Sequence, residues 1–182
     1  MNFMPSRRSG RYWDDAKLLH KCIKSFNFVV NAQREKEFEN MFAASLDAHK
    51  DKFQSELVSQ TNKETTVQSI RCFGKNHRPD MTFDKNGIAI EIKLSSYSGL
   101  TKAIGQGHIY RLSYRFAFLI IILTKDKKGF YQEFASNGEP LTESLLQYLA
   151  DEMNIFTYIV PSFKVGTAVK NRYSFFEKTN LY

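Results

Sequence analysis

Asp80, Glu91 and Lys93 stand close together in the stretch RPDMTFDKNGIAIEIKL, residues 78–94. The run 87–94 alternates in the manner of a strand, where residues i and i+2 share a face. Glu91 and Lys93 therefore project together, while Ile90, Ile92 and Leu94 project the other way. A carboxylate beside an ammonium has two readings. On an exposed edge strand it is an ion pair worth about 0–1 kcal/mol. On an interior strand it is half of a catalytic site, with the ammonium placed to stabilise negative charge that develops in a transition state. Asp80, directly after Pro79, is either a turn residue or a second carboxylate delivered to the same place.

The elements that must position these groups follow from periodicity. Residues 1–13 read as a flexible basic arm carrying Arg7, Arg8 and Arg11, and 14–30 as a helical or mixed segment. Residues 31–57 read as one long helix, because Phe38, Met41, Phe42, Ser45, Leu46, His49 and Phe53 recur at three- and four-residue spacing. On that helix Glu35 and Glu39 border the apolar stripe and Glu37 points away. Strands are expected at 65–73, 80–84 and 87–94, with DKNG (84–87) as the hairpin turn between the last two. A helix over 99–115 follows, despite Gly105 and Gly107. The apolar run 116–124 suits a strand covered on both faces. A helix over 141–154 with Thr142 as N-cap, and a strand over 155–161, complete the order. The tail 162–182 is basic and aromatic, with no clear element. This order predicts an α/β fold, a mixed sheet with helices on both faces.

Length and composition set the frame. The chain has 182 residues, enough for one domain with a proper core. Its 26 Lys and Arg against 19 Asp and Glu give a net charge of +7. That excess suits a polyanionic partner, nucleic acid first, or simply a basic soluble protein. Cys22 and Cys72 form no CxxC or Cys/His cluster, so a reduced protein without zinc is expected. No apolar run is long enough to span a bilayer, and no apolar segment follows the basic residues of the N-terminus, so a cytoplasmic location is expected.

Pro79-Asp80, then Glu91-Ile92-Lys93 on an alternating strand, then Gln106 on the next helix resembles the PD-(D/E)XK nuclease superfamily, the restriction-endonuclease-like fold. The resemblance covers roughly residues 31–124, and within the superfamily the pattern is most similar to Holliday-junction resolvases and RecB-type nucleases. It implies a metal-dependent deoxyribonuclease. Asp80 and Glu91 would hold Mg²⁺ (Mn²⁺ substituting), with the Ile92 carbonyl as a further ligand and an acid from the first helix, Glu35 before Glu39, completing the set. The metal would polarise the phosphate and lower the pKa of a bound water. Lys93 would orient that water or stabilise the transition state. Gln106 would bond to the water, the lysine or a phosphate; otherwise it is an ordinary helix-surface amide. Tyr110, one turn later, is expected to pack in the core.

DNA is the expected partner, with Arg7, Arg8, Arg11, Arg78, Lys102 and Arg111 as phosphate contacts, and Lys164, Lys170 and Arg172 as further candidates. His77 is expected to be an exposed loop residue. The absence of an obvious recognition or motor domain suits an endonuclease of a phage or other mobile element. Two rivals stand beside it: a homodimeric junction-resolving nuclease, and a non-catalytic nucleic-acid-binding module that keeps the fold. No membrane partner is expected.

Overall fold

The alternating run that carries Glu91 and Lys93 becomes β5, Ile88–Ser95, an interior strand of a mixed sheet. A computed structural model describes residues 7–29, 34–60, 66–95, 99–124, 139–162 and 172–174. Its elements are α1 (Arg11–Ser25), α2 (Glu35–Asp47), a short 3-10 turn (Lys50–Lys52), β1 (Leu57–Ser59), β2 (Ile70–Cys72), β3 (Lys75–His77), β4 (Met81–Phe83) and β5. They continue with α3 (Leu100–Tyr110), β6 (Phe116–Leu123), α4 (Pro140–Asp151), β7 (Ile155–Pro161) and β8 (Arg172–Ser174). The main sheet runs β1-β4-β5-β6-β7-β8, and β2 and β3 form a separate hairpin. β4 runs antiparallel to both of its neighbours, β1 and β5; β5, β6 and β7 are parallel, and β8 returns antiparallel to β7.

Each face of the sheet has its own apolar layer. Ile88, Ile90, Ile92, Phe118 and Phe156 pack with Trp13 of α1 and Phe38 and Phe42 of α2. On the opposite face Ala89, Leu119 and Ile159 pack with Tyr110 of α3 and Leu146 and Leu149 of α4. β6 lies between the two layers, which is why all eight of its residues are buried and apolar. Gly107 lets α3 approach β6: a Cβ there would fall 2.9 Å from Leu119 Cδ1 and 3.1 Å from Ile155 Cγ2. Gly87, at the end of the β4–β5 turn, is required for a similar reason, since a Cβ would lie 2.4 Å from the Tyr12 ring.

Several local expectations change. The helix expected over 31–57 ends at Asp47; the chain then turns so that Phe53 stacks on Phe83, ring centroids 4.4 Å apart. β1 begins at Leu57, the last residue of the stretch expected to be helical. The strand expected over 65–73 is confined to Ile70–Cys72, and its partner β3 had no period long enough to show. α4 begins at Pro140 with Glu139 as N-cap, and Thr142 instead donates its hydroxyl to the Glu139 carboxylate. The N-terminal segment is not an arm throughout: α1 starts at Arg11, and Trp13 is a core residue.

Candidate functional site

β4 and β5 pair only from Met81–Phe83 to Ile88–Ile90. The Asp80 N–H still donates to the Ile90 carbonyl at 3.0 Å, and there the two strands part. Along an antiparallel edge, alternate residues point both N–H and C=O toward the missing partner. Ile92 and Leu94 are in that position, and side-chain carboxylates replace the absent strand. The Ile92 N–H donates to Asp80 Oδ2 at 2.7 Å, and the Leu94 N–H donates to Glu35 Oε2 at 2.9 Å. An unpaired buried N–H is costly, so this edge both needs and gathers the acids.

Glu91 and Lys93 do share a face. Lys93 Nζ lies 2.9 Å from Glu91 Oε1 and 2.9 Å from Glu35 Oε1, bridging the strand to the first turn of α2. Gln106 Nε2 donates to Glu91 Oε1 at 3.1 Å, and the Tyr110 hydroxyl donates to Glu91 Oε2 at 2.6 Å. The same hydroxyl is 3.3 Å from the Arg78 carbonyl, tying α3 to the segment that enters β4. Asp80 and Glu91 are 8% and 2% exposed, so neither is a surface ion-pair residue.

Glu39 is also buried and pairs with Lys36 at 2.7 Å. Counting Asp80, Glu91, Glu35 and Glu39 against Lys93 and Lys36, carboxylates outnumber ammoniums. Burial, then the Glu91 charge, with a smaller push from Glu39, raises the Asp80 carboxyl to about 8. Burial likewise raises Glu91, against the pull of Lys93 and the Tyr110 hydroxyl. Burial alone would lower Lys93, but Glu91 and Glu35 outweigh it and hold the ammonium above its ordinary range. Tyr110 is pushed up by burial and by Glu91, and therefore stays a hydrogen-bond donor.

Among the described residues no group of three or more His, Cys, Asp or Glu side chains forms a metal-holding cluster. A Mg²⁺ site does not require one, because that ion is commonly held by one or two carboxylates, with waters and substrate phosphate filling the octahedron. Asp80 and Glu91, both hard oxygen donors and both destabilised as anions, fit such an ion. The Ile92 carbonyl faces the same edge as its N–H. Gln106 Oε1 is buried with no hydrogen-bond partner among the described residues, a further oxygen available to a water or ion.

The remaining sequence-predicted residues separate into two groups. Arg78, Lys102 and Arg7 are exposed, and Arg11, also exposed, pairs with Asp84 at 2.9 Å. Arg8 instead folds back on the body. It donates to Asn154 Oδ1 at 3.0 Å and to the Ala150 carbonyl, and lies 5.7 Å from the Trp13 ring centroid. Arg111 is fully buried and donates to the Met153 carbonyl at 2.6 Å and to the Tyr114 carbonyl, so it is a structural cation and not a phosphate contact. His77 sits on β3, with Nε2 3.2 Å from the Cys72 carbonyl. Lys164 and Lys170 lie outside the described residues, and Arg172 is described only as part of β8. Tyr110, assigned to the core from sequence, is both core and site; its position one helical turn after Gln106 was the available signal.

By fold the chain is an α/β protein, a mixed sheet flanked by helices. Compared with family models, curated proteins and solved structures, it finds no match in any of the three. No helix among the described residues is long and apolar enough to cross a membrane.

Proposed function

We propose that the protein is a metal-dependent deoxyribonuclease, an endonuclease that hydrolyses DNA phosphodiester bonds. The observation that carries this reading is the meeting of Asp80 and Glu91, buried, both raised in pKa, beside Lys93 at an unpaired strand edge. Carboxylates so placed carry an excess of negative charge that a divalent cation would offset. Asp80, Glu91 and the Ile92 carbonyl would hold Mg²⁺ or Mn²⁺, with Glu35 and Glu39 behind them. Bound there, the ion supplies Lewis-acid polarisation of the phosphate and a water of lowered pKa.

The chain's own residues do the rest. Tyr110 and Gln106 fix the Glu91 carboxylate through both of its oxygens. Lys93, held beside Glu91 and Glu35, acts as a positive charge that orients water and stabilises the phosphorane-like transition state. The test is incubation of supercoiled, linear, single-stranded and branched DNA with Mg²⁺ or Mn²⁺. Metal-dependent nicking or linearisation that Asp80→Asn abolishes is expected. Cleavage that survives exhaustive EDTA treatment, or an unimpaired Asp80→Asn protein, would refute the proposal.

A further inference from the structure

The β2–β3 hairpin closes through the two residues Phe73 and Gly74, between the paired Cys72 and Lys75. Both turn residues have left-handed backbones, Phe73 at φ 52° and Gly74 at φ 72°. Such a turn favours Gly, Asn or Asp at both positions, because a bulky residue is strained there. Phe73 carries that strain while 88% exposed, so packing does little to offset it. Scattered exposed apolar side chains need no explanation. An aromatic ring held out on a strained turn does.

The hairpin is anchored at its root and basic toward its tip. Ile70 is buried in the apolar layer that also holds Tyr110 and Ala89. Arg78 follows β3 directly and accepts the Tyr110 hydroxyl on its carbonyl at 3.3 Å, two positions before Asp80. Alternation and register put Ile70, Cys72, Lys75 and His77 on one face of the ribbon, with Arg71 and Asn76 on the other. Arg71 and Lys75 thus flank the turn from opposite faces. Both are exposed and without a carboxylate partner among the described residues. Residues 65–79 contain no Asp or Glu. These surroundings suit a polyanion that also offers a flat apolar face, and a nucleotide presents both in its phosphate and its base. From Arg78 to Phe73 an extended strand covers at most about 17 Å, which keeps the tip within several nucleotides of the candidate site.

A single ring also selects the base that it can meet. Paired bases are covered on both faces, and opening a step costs at least as much as one stacked ring contributes. An unpaired base leaves its face open, and stacking an aromatic on it is worth roughly 5- to 150-fold in affinity. Resting on the nuclease reading for its substrate, we infer that the β2–β3 hairpin is a DNA-contacting element. Phe73 stacks on an unpaired base near the bond to be cut, and Arg71 and Lys75 take phosphates to either side of it. A frayed end, flap or branch supplies such a base.

The experiment is fluorescence anisotropy of labelled oligothymidylate and of a blunt duplex of matched length, across a salt series in Ca²⁺. Wild type is compared with Phe73→Asn, Phe73→Trp and Arg71→Ala/Lys75→Ala. Phe73→Asn should lose about fivefold or more in oligothymidylate affinity with its salt slope unchanged, since a stacked ring releases no counterion. Phe73→Trp should retain the affinity. The double variant should flatten the slope by about 1.4, two contacts at 0.7 each. Phe73→Asn should also melt at a higher temperature than the wild type, because Asn tolerates the left-handed turn. Three results would each overturn the inference: equal oligothymidylate affinity for wild type and Phe73→Asn, a loss confined to the duplex, or a lower melting temperature for Phe73→Asn. Thermal shifts with Mn²⁺, compared between wild type and Asp80→Asn, report separately on the carboxylates. A hairpin that does not touch DNA leaves the wild-type Mn²⁺ shift intact, whereas absence of that shift strikes the nuclease reading itself.

Discussion

The Asp80 carboxylate takes the place of a strand against Ile92: its Oδ2 accepts the Ile92 N–H at 2.7 Å, immediately past the last β4–β5 pair. This bond lowers the carboxyl's pKa, yet burial and Glu91 dominate and leave it at about 8. An unfolded aspartate titrates near 3.9. Between roughly pH 4 and 8 the folded protein therefore binds a proton that the unfolded chain does not. Stability must fall as pH rises through that window and level off above it.

Metal-free wild type should accordingly lose melting temperature steadily from pH 5 to pH 8. Asp80→Asn, which removes the titration, should show a flatter profile. Mn²⁺ should stabilise the wild type more at pH 8 than at pH 6, because ion and proton compete for the same oxygens. Calorimetry with EDTA or Mn²⁺ checks both; parallel profiles for the two proteins would dismiss the assignment.

Tyr110→Phe removes a single oxygen, the one that stands 2.6 Å from Glu91 Oε2. A hydrogen bond to a charged group contributes about 1.5–3 kcal/mol, and its loss should appear in chemical denaturation. Divalent-ion affinity should also fall, by about 10–100-fold, because an outer partner orients the ligand. Titration calorimetry with Mn²⁺ reads this directly. Unchanged ion affinity would confine Tyr110 to the core.

Lys93→Ala should separate binding from turnover. One charge among 26 basic residues matters little to DNA affinity, but cleavage should drop by about 10²–10³. The variant also leaves Glu91 and Glu35 without their shared cation, so it should lose about 1–3 kcal/mol of stability at pH 8. Single-turnover cleavage and anisotropy on the same preparation make the comparison.

Arg111 and Arg8 should behave as structural residues. Arg111→Met leaves the Met153 and Tyr114 carbonyls without their donor and should cost about 2–4 kcal/mol. Arg8→Ala gives up its bond to Asn154 and its contacts with Trp13 and Phe156, for about 1–2 kcal/mol. The salt slope of DNA binding should stay as in the wild type for both, whereas a phosphate contact would flatten it by about 0.9 on duplex.

The sequence by itself determined the parts whose physics is local. Alternation over 87–94 made β5 and put Glu91 and Lys93 on one face; the eight-residue apolar run could only be β6, buried on both sides; and DKNG closed the β4–β5 turn. Each depends on neighbours a few positions apart, where side-chain period and turn chemistry act directly. The tertiary structure decided what the unpaired edges and buried charges found as partners. Glu35 reaches Lys93 and Leu94 across 58 and 59 residues, and Arg8 reaches Asn154 across 146. No period encodes such bonds. They exist because β4 stops short, leaving N–H groups that burial obliges something to satisfy, and because a guanidinium near Trp13 finds main-chain carbonyls before it finds solvent. Whether a basic residue faces a phosphate or a carbonyl, and whether Tyr110 merely packs or also holds Glu91, is settled only when distant elements meet.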